Sequence, residues 1–248
     1  MKADPAAQLR LLDLQALDAQ IDQLRHQRTH PAEGAEIAEL LGKRSDVDGR
    51  MRDQRIVVDD LSVAQAKADA DVETVKVRRK RDRDRMDSGA IANPKDLERM
   101  QHELDTLERR ITVLEDEELE VMEQLEEAQS ALAELTGAIE TIDARLGELT
   151  ATRDARGAEL DAEAATVGAP RAGIVAEIPA DLLALYEKLR ANQGGVGASE
   201  LRQRACGGCQ IRLDAAELQV IRGAPVDTVV RCQECQRILV RTSESGLS

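Results

Sequence analysis

The chain has 248 residues, 33% of them charged, with a formal net charge of −14, a single aromatic side chain other than histidine (Tyr186), and neither phenylalanine nor tryptophan. Aromatic side chains supply much of the buried area of a large core, so a chain of this length without them has to bury Leu, Ile, Val and Ala in thin seams. The acidic balance argues against general coating of nucleic acid and against adhesion to anionic membranes.

The first residues, Met1-Lys2-Ala3-Asp4-Pro5, lack the apolar core of a secretory signal, and no later stretch reaches the length of a bilayer-spanning helix, so a cytoplasmic location is expected. A helix is predicted over about 5–29, with Leu14, Leu17, Ile21 and Leu24 on one face and an end at Thr29-His30-Pro31, because proline begins a helix more readily than it continues one. Leu9, Leu11 and Leu12 add apolar surface beyond that face and are expected to dock the C-terminal domain.

A second helix is predicted over about 33–86. Stepping by three and four from Ile37 gives Leu40, Arg44, Val47, Met51, Gln54, Val58, Leu61, Gln65, Ala68, Val72 and Val75, a mostly apolar stripe at the 3.5-residue period of a left-handed coiled coil. Lys76, Arg78, Arg79, Lys80, Arg81, Arg83 and Arg85 crowd its end. Such a cluster suits phosphates or an acidic protein; the alternative is a solvated face paired with Asp96, Glu98, Glu103, Asp105 and Glu108.

The chain is expected to reverse near 87–93, where Gly89 permits a turn, Asn93 can cap, and Pro94 suits a first helical position. A third helix, about 94–165, carries the cleaner stripe: Leu97, Met100, Leu104, Leu107, Ile111, Leu114, Glu118, Val121, Leu125, Ala128, Leu132, Leu135, Ile139, Ile142, Leu146 and Leu149. The stripe fades at Arg153 and Arg156 and returns at Leu160. A connection this short makes the second and third helices an antiparallel hairpin, with the first helix beside the end of the third. Residues 1–166 are therefore read as a coiled-coil hairpin, 167–179 as a linker rich in Gly, Ala and Pro, and 180–248 as a separate small domain led by a short helix. Gln193-Gly194-Gly195-Val196-Gly197 has no Walker lysine and reads as a flexible connection.

Cys206-Gly207-Gly208-Cys209 and Cys232-Gln233-Glu234-Cys235 are two Cys-x-x-Cys pairs. Each pair can grip one edge of a tetrahedron from a tight turn, and two such turns complete a four-thiolate shell for Zn²⁺. A redox dithiol would sit at a helix start within a βαβ pattern, which is absent. One zinc ion is expected, and four protein ligands leave no position for a reacting water, so its role is structural. Ile238-Leu239-Val240 after the second pair suits a ribbon strand. Around the cysteines lie Arg202, Arg204, Arg212, Arg222, Arg231, Arg237 and Arg241, a second basic set. His26 and His102 fall on outward heptad positions and His30 in the helix break, with no nucleophile near them, so no enzyme is expected.

Together with Asn93-Pro94-Lys95-Asp96-Leu97, Ile178-Pro179, Leu182-Leu183, Tyr186-Glu187-Lys188-Leu189-Arg190 and Arg237-Ile238-Leu239, the cysteine pairs make the chain resemble a bacterial family of coiled-coil hairpin proteins with a C-terminal C4-type zinc ribbon. The resemblance covers nearly the whole length. It implies a mainly α protein, a long antiparallel coiled-coil hairpin plus a small β zinc ribbon, and a binding function: the family includes proteins of flagellar biogenesis that bind an alternative sigma factor and a flagellin messenger RNA, and a chlamydial member linked to type III secretion. Gln236 departs from the family's glycine at a turn that favours a left-handed backbone.

The expected function is a non-enzymatic adaptor or scaffold that presents hairpin and ribbon to protein partners, in transcription or secretion regulation. The alternative is a regulator that binds RNA or DNA through Arg202, Arg204, Arg212, Arg231 and Arg237 of the ribbon and Arg78, Arg79, Lys80 and Arg81 of the hairpin tip. With Tyr186 the single candidate for base stacking, such binding would be directed at the backbone and sensitive to salt. No membrane and no small-molecule substrate are expected.

Overall fold

The computed structural model describes residues 1–247. It contains α1 (Pro5–Thr29), α2 (Gly34–Asp87), α3 (Pro94–Gly168), α4 (Arg171–Ala176), α5 (Ala180–Asn192), β1 (Ala198–Arg202), β2 (Ala205–Cys206), α6 (Ala215–Gly223), β3 (Val230–Arg231) and β4 (Ile238–Arg241). Two compact units result: Ala35–Thr150, and Met1–Gly34 together with Ala151–Ser248.

The first unit is the antiparallel hairpin of α2 and the greater part of α3. Every predicted stripe residue of α2 from Ile37 to Val75 is buried or half-buried, and α3 buries Leu107, Ile111, Leu114, Leu125, Ala128, Leu146 and Leu149. Leu97 alone of the α3 stripe is exposed, at 39%. The turn is built as its residues dictate: Gly89 takes φ +69°, and the Asn93 side chain accepts a hydrogen bond from the Lys95 backbone N–H at 3.2 Å.

Polar stripe positions find partners across the hairpin. Arg44 makes a two-pronged pair with Asp143 at 2.5 and 3.0 Å, and the Gln54 amide donates to the Ala128 carbonyl at 3.0 Å. Glu36–Arg145, Lys76–Glu115, Arg79–Glu108 and Arg78–Glu103 step toward the turn. Exposed ion pairs are screened by solvent, so their contribution is to register more than to stability. Asp82 is an exception to the apolar pattern, 8% exposed on the stripe and within 3.8 Å of Arg78 and 3.5 Å of Arg81.

The second unit brings α1 and the end of α3 together with the C-terminal elements. Helix α1 runs beside the end of α3, with Arg28 bonded to Asp161 at 3.3 Å, and its first turns dock on the C-terminal elements: Leu11 and Leu14, fully buried, share a core with Ile178, Leu182, Tyr186, Leu189, Ala198, Ile238 and Val240. Leu12 packs against this core while Leu9 stays 46% exposed. The expected linker is also structured, because α3 continues to Gly168 and α4 follows at once. Arg171 at the start of α4 explains why. Its guanidinium donates to both carboxylate oxygens of Asp18 on α1, at 2.8 and 3.2 Å, and to Glu187 on α5 at 2.5 Å. The Tyr186 hydroxyl donates to the same Asp18 at 2.9 Å, and Arg190 pairs with Asp22 at 2.6 Å.

The sheet order is β2-β1-β4-β3, with β1 parallel to β4 and the outer pairs antiparallel. Side chains alternate across it, as the period of a strand requires. Ile238 and Val240 enter the core made with α1 and α5, while Leu239 joins Leu201, Leu213, Ile221, Cys206 and Cys232 in a second core. Strand β4 is therefore buried on both faces. The loop 193–197 is gripped rather than flexible: Gln15 of α1 donates to the Gly195 carbonyl at 3.0 Å and accepts from the Gly197 N–H at 2.7 Å. A Cβ on Gly197 would come within 2.5 Å of the Tyr186 carbonyl oxygen. The N-terminal residues are tied to the same unit, with the Ala3 N–H donating to the Asp227 carbonyl at 2.7 Å and the Val229 N–H to the Met1 carbonyl at 3.2 Å.

Candidate metal centre

The two Cys-x-x-Cys pairs fold into near-identical knuckles. In the first, the Cys206 N–H donates to the Ile211 carbonyl at 3.0 Å and the Gln210 N–H returns to the Cys206 carbonyl at 2.7 Å. In the second, the Cys232 N–H donates to the Arg237 carbonyl and the Gln236 N–H to the Cys232 carbonyl, both at 3.0 Å. Both closures need a left-handed residue after the second cysteine, and Gln210 and Gln236 each take φ +62°. The departure at Gln236 is thus accommodated in the left-handed region, at a cost on the order of 1 kcal/mol. Its surroundings offset part of this: the Gln236 amide donates to the Gln233 carbonyl at 2.8 Å, and its carbonyl accepts from Arg231 at 2.9 Å. Gln210 repeats the feature, and its position one residue past Cys209 is the sequence signal for it.

Gly207 and Gly208 give the first knuckle room. A Cβ on Gly207 would lie 3.0 Å from the Glu200 carbonyl oxygen, and one on Gly208 would lie 2.7 Å from the Arg237 side chain. The first knuckle is therefore pressed against β1 and the second knuckle's exit.

All four sulfurs lie within 4.8 Å of one another. Cys206 and Cys235 are 3.7 Å apart and Cys209 and Cys232 3.9 Å. Four thiolates about 2.3 Å from a tetrahedral zinc have edges of about 3.8 Å, so the donor set and its spacing fit Zn²⁺. Cys206 and Cys232 are buried and the other two half-buried. Burial alone would raise the Cys206 thiol, but backbone N–H groups of Cys209 and Gly208 and the Ser199 hydroxyl favour its thiolate and bring it down to about 7. Burial pushes Cys232 up to about 12 and also raises Cys209. A divalent cation at the centre of the four sulfurs supplies the charge that such a set of thiolates requires. Among the described residues no other group of three or more His, Cys, Asp or Glu side chains is placed to hold a metal.

The predicted contact residues divide by environment. Arg237 is half-buried, and its guanidinium donates to the Val196 and Gln193 carbonyls at 3.0 and 2.7 Å, fastening the 193–197 loop to the second knuckle. Arg241 is likewise committed, to the carbonyls of Ile221, Ala224, Pro225, Val226 and Thr228. Arg202 is exposed and pairs with Glu244 at 3.0 Å and Glu200 at 3.6 Å, and Arg204 donates to the Gly246 carbonyl. Arg212 and Arg231 are exposed. At the hairpin tip Arg78, Arg79 and Arg81 are held by Glu103, Glu108 and Asp82, and Lys80 is exposed. Arg202 and Arg212 line one cleft with Cys206, whereas Arg78, Arg79, Lys80 and Arg81 belong to the other compact unit. No helix among the described residues is long and apolar enough to cross a membrane.

Comparison with known proteins agrees with both halves of this geometry. The C4-type zinc ribbon domain profile matches residues 205–239, and the CT398-like coiled coil hairpin domain profile matches residues 14–194. The Mycobacterium tuberculosis protein Rv2229c is 36% identical over 241 residues, covering 97% of this chain and 98% of its own length. A solved structure from Mycobacterium smegmatis is 37% identical with a TM-score of 0.85, covering 97% of this chain and all of that one. CT398 from Chlamydia trachomatis shares the fold at 16% identity, with a TM-score of 0.72 over 96% of this chain and 98% of that one. The chain belongs to the family of CT398-like coiled-coil hairpin proteins, and it carries the C4-type zinc ribbon after the hairpin.

Proposed function

We propose that the protein is a non-enzymatic adaptor of the cytoplasm, in which one structural zinc ion held by Cys206, Cys209, Cys232 and Cys235 maintains the ribbon while the hairpin offers a separate surface to a protein partner. The observation that carries this reading is on the outer face of α2. Ile56 and Val63, one heptad apart, and Val77, two heptads further, share the face of α2 opposite the stripe and are 60%, 71% and 56% exposed. Exposed apolar side chains aligned on one face suit a partner helix or sheet.

The test is capture of partners from extracts of the source cells, with the wild type and an Ile56→Glu/Val63→Glu variant compared at low and high salt. A partner retained at high salt and lost in the variant supports the reading; a set of captured proteins identical between the two sinks it. The second reading, nucleic-acid binding by the ribbon, rests on a cleft of about 360 Å³ beside Cys206 lined by Arg202, Gln203, Gln210 and Arg212. It predicts binding to generic RNA that weakens steeply with salt and is lost in an Arg202→Glu/Arg212→Glu variant.

A further inference from the structure

The fading of the α3 stripe coincides with a cavity. Arg153 and Arg156 stand where the heptad calls for apolar side chains, and they line an open space of about 420 Å³ between α1, the bend before α2 and the later turns of α3. Arg28 and His30 complete its basic lining, and Glu33 is its single carboxylate. The volume lies in the range of small-molecule sites.

The arginines are held in place from outside. Arg28 bonds Asp161 through Nε at 3.3 Å, Arg153 bonds Asp154 through Nε and Nη2 at 2.9 and 2.8 Å, and Arg156 bonds Glu159 through Nη1 at 2.9 Å. None of these three carboxylates lines the cavity. Both Nη atoms of Arg28, and Nε and Nη2 of Arg156, make no hydrogen bond to the described residues. His30 Nδ1 is engaged by Thr29 and the His26 carbonyl at 3.0 and 3.1 Å, which leaves Nε2 as its unengaged nitrogen. The backbone has also been shaped for this arrangement. Gly157, in the interior of α3, lets the Arg28 guanidinium lie on the helix, where a Cβ would stand 2.9 Å from both Cζ and Nε. A glycine inside a helix and two arginines on its apolar stripe both weaken packing, and they occur together where the cavity opens.

We infer that this cavity binds a small phosphate-bearing anion of di- or triphosphate size. Guanidinium groups recognise phosphate oxygens through paired N–H donors, and each of these three is paired with a carboxylate that lies outside the cavity. The inference is independent of the adaptor reading, because none of the cavity residues lies on the outer face of α2 or in the ribbon.

The experiment titrates the zinc-loaded full chain with inorganic pyrophosphate and, separately, ATP, by calorimetry and thermal unfolding at matched ionic strength. The wild type is expected to bind at least one of them saturably with a rise in Tm, and tighter binding of ATP would assign the nucleoside to the ligand as well. Arg153→Leu/Arg156→Leu restores the stripe, so it is expected to unfold at a higher temperature without ligand and to bind at least about tenfold more weakly. Gly157→Ala, which displaces Arg28, is expected to weaken binding while raising the ligand-free Tm. The absence of saturable binding at millimolar ligand, or undiminished binding by the double variant, whose cysteines are intact, would overturn the inference.

Discussion

The Tyr186 hydroxyl donates a hydrogen bond to Asp18 Oδ2 at 2.9 Å across 168 residues of sequence. Tyr186 is fully buried and Asp18 is 1% exposed, so the one large aromatic side chain of the protein fills the core between α1, α5 and the sheet and satisfies a buried carboxylate at the same time. Tyr186→Phe keeps the ring and removes the donor. The expected loss is about 1–2 kcal/mol, the cost of leaving part of a buried charged group unsatisfied, read as a lower denaturant midpoint of this unit. An unchanged midpoint would show that Arg171 satisfies Asp18 by itself.

The same carboxylate sets an acid limit. Burial alone would raise the Asp18 pKa, but hydrogen bonds from Arg171 and Tyr186 and the charges of Arg190 and Arg171 hold it below the usual carboxylate value. A folded-state pKa below the unfolded one contributes stability that is present above the unfolded value, about 3.9, and is lost as pH falls through the folded one. Thermal scans are expected to show the unit weakening below about pH 4. Asp18→Asn should flatten that acid limb while lowering stability at neutral pH, since Arg171 and Arg190 lose their buried partner.

Removing the metal should separate the two units. Cys232→Ser, or a strong chelator, is expected to unfold the sheet and loosen α1 and α5, which share Ile238 and Val240 with it. The hairpin has no residue in either of those cores and should keep its helices. Circular dichroism is expected to retain most of its helical signal while proteolysis cuts within 193–247, and loss of most helicity would contradict the division.

Gln236 offers a stabilising change. Gly at this position adopts φ +62° without the penalty of a Cβ, so Gln236→Gly is expected to raise ribbon stability by about 0.5–1 kcal/mol, visible as slower release of zinc to a chelator. Faster release would mean that the Gln236–Gln233 hydrogen bond outweighs the backbone strain.

On the hairpin, Ile111→Ala removes a side chain that is 4% exposed and should cost about 2–4 kcal/mol. Leu135→Ala, at a half-buried position, should cost less. Equal losses at the two sites would argue against the uneven burial along α3.

The hairpin was legible because its information is periodic. Ile37 to Val75 and Met100 to Leu149 repeat every 3.5 residues, and the knuckles were legible because Cys-x-x-Cys is a local pattern. The docking of α1 on the C-terminal domain was legible from the surplus apolar Leu11 and Leu12, but the contacts that hold it there were not. What holds it is a set of single contacts, Gln15 on the glycine loop, Asp18 on Arg171 and Tyr186, Asp22 on Arg190, each joining residues more than 150 positions apart. A charged residue with one distant partner leaves no periodic trace, so Arg171 read as linker and Arg237 as surface. Gly157 was silent for a related reason: its role is defined by the Arg28 side chain that rests on it.

The tethering of Ala3 to Asp227 and of Met1 to Val229 has a consequence for the order of assembly. A ribosome releases α1 long before α5 and β4 exist, and until then Leu11 and Leu14 lack the core they share with Leu182, Tyr186, Ile238 and Val240. The hairpin, whose partners are close in sequence, is free to zip from its turn in the meantime. The earliest helix made is thus among the last to be secured, and during synthesis its apolar face is the segment most in need of shielding.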